Sequence, residues 1–168
     1  MTKGRDFSNL SVVTLLFKKN YLTQIENSVK GENHLFRNFY IVQDGIEKDA
    51  LENGGLSCSA FASSILYLFN PLLEFLGKPH WIGLTHANTK SSIKDMLEHD
   101  WYETKDLRQG AVLVWEEEEF PHMGFYVGND EAISNDSKGT GFPHKHHFTY
   151  NGTRKIEKIY WHDDLNNG

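Results

Sequence analysis

Apolar residues recur at helical spacing in several stretches of the first hundred residues. Positions three or four apart place Leu10, Val13, Phe17 and Tyr21 on one face of the first stretch. In the second stretch Ser57 is a natural N-cap before Cys58, and in a third Gly77 follows the last apolar position as a stop signal. The predicted helices cover roughly residues 8–27, 58–69, 70–77 and 89–101.

The pattern changes to alternation after Asp106, where apolar and polar residues follow each other with a period of two. The turn Gly128-Asn129-Asp130 between two such runs is typical of a β-hairpin. Residues 36–42 are rich in aromatic and β-branched residues and are predicted as a strand, with a helical continuation as the alternative. The other predicted strands are residues 111–115, 122–127, 131–135 and 154–162. Helices followed by an antiparallel sheet predict an α+β fold.

Length and charge restrict the classes of protein that fit this pattern. The 168 residues are enough for one domain, with a core at roughly 50–162 and a helical extension at 1–49. The formal charge of −6, without a stripe of lysine or arginine, argues against a nucleic-acid partner. The apolar run 12–17 is too short to span a membrane and has no cleavage site after it, so we expect a core helix and a cytoplasmic protein.

Cys58 is the one cysteine of the chain, which excludes an internal disulfide and zinc sites that need two thiolates. A free cysteine is usually a small buried hydrophobic residue. However, the pair Gly54-Gly55 allows a sharp turn, and Ser57 as N-cap puts Cys58 in the first turn of a helix. Unpaired N–H groups and the positive end of the helix dipole stabilise a thiolate there and can also bind an oxyanion. Cys58 is therefore a candidate nucleophile.

A nucleophilic cysteine needs a base, and His122 is the best candidate among the histidines. It begins a predicted strand directly after Pro121. Sheet alternation puts His122 on the same face as Gly124 and opposite Met123. The glycine would leave room above the sheet for the end of a neighbouring helix. The alternative is a partly exposed histidine at a strand edge.

A third residue must orient the base, and the hairpin brings the segment 134–136 towards His122. Asn135 is the first choice, because its amide oxygen can accept the ring N–H and select one tautomer. Ser134 and Asp136 are close rivals, since a register shift of one residue exchanges the two faces of a strand. A polar residue that merely starts a loop is the alternative for Asn135.

The segment "PHKHH" at 143–147 contains three histidines within four positions and could bind zinc as a loop. No acidic residue or thiolate has a matching spacing, so neither a metal nor another cofactor is predicted.

Three segments together resemble a known family. They are "LSCSAFASSILYLF", "DLRQGAVLVWE" and "HMGFYVGNDEAISN", in this order, and they resemble the NlpC/P60 and CHAP type of papain-like cysteine hydrolase. The resemblance covers roughly residues 50–160. It implies a helix carrying the cysteine packed on an antiparallel sheet carrying the histidine, and hydrolysis of amide bonds, often in cell-wall peptides. By motif match Cys58 would be the nucleophile, His122 the general base and acid, and Asn135 the orienting residue.

The sequence also departs from the family pattern. Ser57 stands where the family commonly has aspartate, Ala60 where it has glycine, and Ala111 where an aspartate follows the middle turn. Many members carry a further histidine about twelve residues after the first, and Ser134 occupies that position here.

The sequence as a whole predicts a thiol hydrolase, a cysteine peptidase or amidase, that acts on a peptide or peptidoglycan-like substrate. A binding groove lined by Ser57, Ser59 and Gly124 is expected beside the catalytic residues. A non-catalytic peptide-binding domain on the same scaffold and an acyltransferase remain the alternatives, because the residue pattern is shared by all three.

Overall fold

A computed structural model of the protein describes residues 14–116 and 121–166. Its helices precede most of its strands in the chain, and they are α1 (Phe17–Asn27), α2 (Cys58–Tyr67), α3 (Asn70–Phe75) and α4 (Thr89–Glu98). Helix α1 begins at Phe17, later than the predicted start; residues 14–16 are not helical, and the predicted part at 8–13 lies outside the described residues. Asn88 caps α4 by accepting the N–H groups of Lys90 and Ser91.

The main sheet is antiparallel and has six strands in the order β3-β8-β4-β5-β6-β7. A separate two-stranded hairpin is formed by β1 and β2. The strands are β1 (Tyr40–Gln43), β2 (Ile46–Asp49), β3 (Tyr102–Thr104), β4 (Val112–Trp115), β5 (His122–Gly128), β6 (Glu131–Asn135), β7 (Pro143–His147) and β8 (Ile156–Trp161). The predicted α+β class is therefore confirmed.

The two faces of the sheet contribute to two separate apolar clusters. On one face Met123, Phe125 and Val127 pack with α1 and α2 in the larger cluster, which has Trp81 at its centre. Strand alternation predicted that Met123 lies opposite His122 and Gly124, but the end of a helix was expected on the face of His122. The other face carries a smaller cluster built on Leu113, Trp115 and Ala132, and Tyr150 packs against it. Strand β5 thus presents its odd-numbered side chains to the helices and its even-numbered ones to this second face.

Two elements differ from the expectations. The histidine-rich segment, expected as a loop, is strand β7 and pairs with β6 so that His144 lies opposite Ser134. The strand predicted at 36–42 is limited to its last residues and pairs with β2 across the turn at Asp44-Gly45.

Candidate active site

The start of α2 carries Cys58, as the capping pattern predicted. Ser57 is the N-cap residue, but its hydroxyl donates to the Gly54 carbonyl (3.0 Å) and makes no capping hydrogen bond. The first turn of a helix has N–H groups without intrahelical acceptors, and Ser57 does not take them up. Cys58 is only 8% exposed and lies on a wall of a cleft.

The Cys58 thiol lies against the backbone that leads into β5. Its sulfur donates to the Pro121 carbonyl at 3.8 Å, and the Thr89 hydroxyl donates to the same carbonyl at 3.2 Å. The first residues of α2, α4 and β5 therefore meet at one carbonyl oxygen. This contact holds the sulfur next to the residue that immediately precedes His122.

Opposing effects act on the pKa of Cys58. Burial raises the pKa above its ordinary value, because a thiolate loses its hydration there. The N–H groups of Met123 and Ser59 and the hydroxyl of Thr89 act in the other direction, and so does the positive charge of Arg154. The effect of burial on the pKa prevails, so the resting side chain is a thiol whose S–H group points to the Pro121 carbonyl.

His122 begins β5 and is 6% exposed. Its Nε2 lies 2.8 Å from the Ser134 hydroxyl oxygen. Burial lowers the pKa of His122 to about 3, and the charge of Arg154 and the neighbouring rings of His146 and His144 act in the same direction. The imidazole is therefore neutral at physiological pH, as a general base must be before it takes a proton.

Ser134, one of the two rivals for the orienting position, is the residue that contacts His122. Its hydroxyl oxygen also lies 2.8 Å from His146 Nε2 and 2.9 Å from the Tyr150 hydroxyl. Ser134 is opposite Gly124 in the β5–β6 pairing, on the face that carries His122. Sequence reasoning missed His146 and Tyr150, because their approach depends on β7 and on the short 3-10 turn that follows it.

Asn135 does not contact the His122 ring. Its side chain is 1% exposed and donates through Nδ2 to the Gly54 carbonyl at 2.9 Å. Its Oδ1 is buried and has no partner among residues 14–116 and 121–166. The pairing of β5 and β6 shifts by one residue between Tyr126 and Gly128, and this irregularity puts Ser134 rather than Asn135 on the face of His122.

The third candidate, Asp136, is engaged in a turn. Its carboxylate accepts the Thr140 N–H at 2.8 Å, and its backbone carbonyl accepts the Gly141 N–H at 2.9 Å. These contacts close the 136–141 loop that leads from β6 into β7. Asp136 therefore shapes one wall of the cleft, and no contact joins it to the His122 ring.

The cleft has a volume of about 720 Å³ and contains both Cys58 and His122 in its lining. Ser59 lines it, whereas Ser57 and Gly124, which were also expected in the groove, lie behind the wall. The other lining residues include Glu52, Leu56, Thr89, Asn135, Asp136, Tyr150 and Arg154. The volume suits a short stretch of peptide or a ligand of similar size.

Arg154 is the cation of the cleft whose charge acts on both Cys58 and His122. Its guanidinium carbon lies 5.6 Å from the centre of the Tyr150 ring. Its half-buried side chain has no ion pair within residues 14–116 and 121–166, and its Nε is buried without a hydrogen-bond partner there. The positive charge of Arg154 therefore lies in the wall of the cleft without an ion pair to any residue that the structure describes.

Glycines set two close approaches around the site. A Cβ on Gly124 would lie 2.4 Å from the Ile133 carbonyl and 2.7 Å from Ser134 Cβ. The space that this glycine leaves is therefore filled by β6 and not by the end of α2. Gly54 (φ +98°) crosses the 136–141 loop at Gly141, where a Cβ would come within 2.6 Å of backbone. Gly54 thus allows two segments of the chain to approach each other closely beside the start of α2.

Asp95 of α4 holds the segment that leads into the wall of the cleft. Its carboxylate accepts the N–H groups of Gly83 (2.9 Å) and Leu84 (3.1 Å) and lies 2.5 Å from His86 Nε2. The pKa of Asp95 is lowered by these partners against the opposing effect of burial, with His86 the strongest of them. The segment ends at Asn88 and Thr89, so Asp95 fixes the residue whose hydroxyl meets the Pro121 carbonyl.

The described residues contain no group of three or more histidine, cysteine or carboxylate side chains arranged to hold a metal ion. His144 and His146 lie close together, with ring centres 4.7 Å apart. However, both rings contact Ser134: His144 Nδ1 lies 3.2 Å from its carbonyl oxygen, and His146 Nε2 lies 2.8 Å from its hydroxyl.

Comparison with known proteins leaves the site to be interpreted from its own geometry. No protein-family model matches the chain, and no curated protein matches it in sequence. Within the described ranges, one helical stretch, Cys58–Phe75, is long and apolar enough to cross a membrane, and half of it is buried inside the fold.

Proposed function

We propose that the protein is a thiol-dependent hydrolase of the NlpC/P60 type on a papain-like scaffold, and that it cleaves an amide bond in a peptide. The observation that carries the proposal is the shared cleft. Cys58 at the start of α2 and His122 at the start of β5 both line it, and a buried hydroxyl holds the Nε2 of His122. That contact leaves Nδ1 of the same ring for the thiol.

The reaction begins with a rotation of the Cys58 side chain away from the Pro121 carbonyl. The thiol passes its proton to Nδ1 of His122 while the sulfur forms a bond to the substrate carbonyl carbon. The N–H groups in the first turn of α2 donate to the oxyanion that develops. His122 then gives its proton to the leaving amine as the C–N bond breaks, and an acyl-thioester remains on Cys58.

Water completes the reaction with His122 as base again. The imidazole accepts a proton from water, the resulting hydroxide adds to the thioester, and the carboxylic acid leaves as the thiol regains its proton. Arg154 favours the negative sulfur but disfavours a positive imidazole, since its charge lowers the pKa of both groups. The pair therefore rests as thiol and neutral imidazole, and the proton moves together with the attack.

A non-catalytic peptide-binding domain is the second candidate. The observation that favours it is the raised pKa of Cys58, together with a thiol that donates to a backbone carbonyl. In such a domain the cleft would hold a peptide by hydrogen bonds, and the thiol would be an inert part of its wall.

Alkylation of the protein separates the two candidates. Because Cys58 is the one cysteine in the sequence, a single mass shift with iodoacetamide or a peptidyl vinyl sulfone identifies the adduct without ambiguity. For a hydrolase, we expect a rate at pH 7 that falls at least about tenfold in His122→Ala, since the base is lost. Equal, slow alkylation in both proteins would identify a buried, inert thiol and support the binding domain.

Cys58→Ala is the matching test of turnover on a library of peptide amides. We expect the hydrolytic rate to fall to background while the melting temperature changes by only a few degrees, because the side chain is small. Cys58→Ser should also be inactive, since a hydroxyl beside a neutral imidazole is a poorer nucleophile. Retention of most of the rate in Cys58→Ala would refute the proposed mechanism.

A further inference from the structure

We propose that His146 is a positioning residue that selects the tautomer of His122, acting through the hydroxyl of Ser134. The proposal rests on the proposed function in one respect: a bare Nδ1 on His122 is useful because Cys58 needs a base. The assignment of protons follows from contacts on the second face of the sheet and uses no property of the substrate.

The first step is the tautomer of His146 itself. Its Nδ1 lies 2.9 Å from the carbonyl oxygen of His147. A carbonyl can only accept, so Nδ1 of His146 must carry a hydrogen. Burial lowers the pKa of His146 to about 4, so the ring has only one N–H at neutral pH. Its Nε2 therefore has a free lone pair and acts as an acceptor.

The second step is the direction of the Ser134 hydroxyl. A serine hydroxyl has one proton to donate and two lone pairs to accept with. His146 Nε2, at 2.8 Å, needs a donor, so the Ser134 proton points to it. The contact of 2.9 Å to Tyr150 must then be a donation from the tyrosine hydroxyl, which fills one of the two lone pairs.

The third step reaches His122. The remaining lone pair of Ser134 faces His122 Nε2 at 2.8 Å, so Nε2 must carry the hydrogen of that neutral ring. Nδ1 of His122 is then bare and can accept the proton of the Cys58 thiol. Every hydrogen bond in the series from His122 through Ser134 and His146 to the His147 carbonyl runs in one direction.

The reverse assignment shows why His146 matters. If His146 carried its hydrogen on Nε2, Ser134 would accept from it and would give its own proton to His122 Nε2. The hydrogen of His122 would then lie on Nδ1, and this nitrogen would have no lone pair with which to accept the proton of the thiol. The His146 ring is held in its orientation by stacking on Tyr150, with ring centres 3.9 Å apart and planes inclined by 22°.

The wild-type protein provides a direct test. Long-range ¹H–¹⁵N correlation spectra of protein labelled at histidine distinguish the two neutral tautomers of each ring. We expect Nδ1–H for His146 and Nε2–H for His122 at pH 7. Nε2–H on His146, or Nδ1–H on His122, would overturn the proposal.

A pair of variants tests the dependence of one ring on the other. His146→Phe keeps a ring that can stack on Tyr150 but removes the acceptor, so His122 should become a mixture of tautomers and Cys58 alkylation at pH 7 should slow about tenfold. His146→Gln supplies an amide oxygen that can accept from Ser134. It should restore most of the Nε2–H tautomer of His122 and most of the alkylation rate of Cys58. His80→Phe, at an exposed histidine elsewhere in the protein, is the control and should change neither.

The hydrogen bonds from His122 through Ser134 to His146 form the proposed relay. These measurements separate failure of this relay from failure of the proposed function. A His122 tautomer and an alkylation rate unchanged in His146→Phe would overturn the relay and leave the hydrolase proposal intact. An unreactive Cys58 together with the expected tautomers, and their loss in His146→Phe, would support the relay and refute the hydrolase. If His146→Phe does not fold, the wild-type spectrum decides.

Discussion

Ser134 and Asn135 are neighbours in one strand, yet their side chains make hydrogen bonds to different parts of the site. The Ser134 hydroxyl lies among two imidazole rings and a phenol, whereas the Asn135 amide reaches the Gly54 carbonyl beside the start of α2. Both side chains are almost completely buried, so burial alone does not distinguish them. Their hydrogen-bond partners do: Ser134 acts on the His122 ring, and Asn135 ties β6 to the segment that precedes Cys58.

Alanine at each position should therefore have different effects. Ser134→Ala leaves the Nε2 atoms of both imidazoles without their partner, and we expect turnover to fall about 10- to 100-fold, with Cys58 still partly reactive. Asn135→Ala removes one hydrogen bond to the buried Gly54 carbonyl, which keeps the Ser57 hydroxyl as a donor, and we expect a loss of about 1 kcal/mol in the free energy of unfolding. Steady-state kinetics and urea denaturation on both variants give the comparison. A larger loss of turnover in the folded fraction of Asn135→Ala would return the orienting role to Asn135.

The beginning of α2 is placed by an element that is distant in sequence. Gly54 crosses the loop 136–141 at Gly141. The side chain of Asn135, at the end of β6, donates to the Gly54 carbonyl. Cys58, the proposed nucleophile, is thus positioned by the β6–β7 connection as well as by its own helix. Strand β5 begins with His122, directly after the Pro121 carbonyl, so the proposed catalytic pair depends on how α2 and the hairpin β5–β6 pack together.

Gly54→Ala tests this crossing. The residue has φ +98°, and the added Cβ would meet Gly141 backbone at 2.6 Å, so both strain and steric overlap oppose it. Gly31→Ala is the matched control, because Gly31 has φ +82° and nothing within 4 Å of the added Cβ. We expect about 1–2 kcal/mol for the control and clearly more for Gly54→Ala by urea denaturation, together with slower Cys58 alkylation. Equal losses would show that the contact with Gly141 relaxes without consequence.

The whole molecule buries neutral histidines beneath its second sheet face. His122 and His146 lie beside the smaller apolar cluster, where the Trp115 ring contacts both. Arg154 and His144 add to the effect of burial on both rings, while Asp136 acts in the opposite direction on His146. Their pKa values of about 3 and about 4 mean that the folded protein disfavours protonation at pH values where an unfolded chain would accept it.

The protein should therefore lose stability on mild acidification. Because both pKa values are lowered from the ordinary 6.5, the stabilisation is complete above about pH 6.5 and is lost as pH falls towards 4 and then 3. Between pH 7 and pH 5 we expect a loss of roughly 1–2 kcal/mol for each histidine, measured by urea denaturation. The loss should be smaller in His146→Gln, which removes one of the histidines whose pKa is lowered. An equal loss in this variant would assign the effect to other groups.

Carboxylates affect the pH dependence of stability over a separate, lower range of pH than the histidines. The pKa of Asp49 is lowered to about 2 by three backbone N–H groups and by Asn38, whose combined effect exceeds that of burial. Its contribution is present above the ordinary pKa of about 4 and is lost only as pH falls towards 2. The interval from pH 6.5 to pH 5 therefore reports mainly on histidines.

Local signals in the sequence were sufficient for the order of the elements and for the positions of the two candidate catalytic residues. Helical spacing after Ser57 predicted a helix that begins at Cys58, and alternation around the Gly128-Asn129-Asp130 turn predicted a hairpin that begins at His122. Such signals work because a helix cap and a tight turn are decided by residues adjacent in the chain. They also predicted correctly that Met123 and Phe125 lie on the face of β5 opposite to His122, although the end of a helix was expected on the face of His122.

Tertiary structure alone decided which side chain meets His122. A strand exchanges its faces at every residue, so the one-residue shift between Tyr126 and Gly128 is enough to replace Asn135 by Ser134, and no local signal specifies it. His146 and Tyr150 come to Ser134 only because the histidine-rich segment pairs with β6 as strand β7. Pairing of this kind depends on contacts between segments that are separate in sequence, and a periodicity contains no information about its partner.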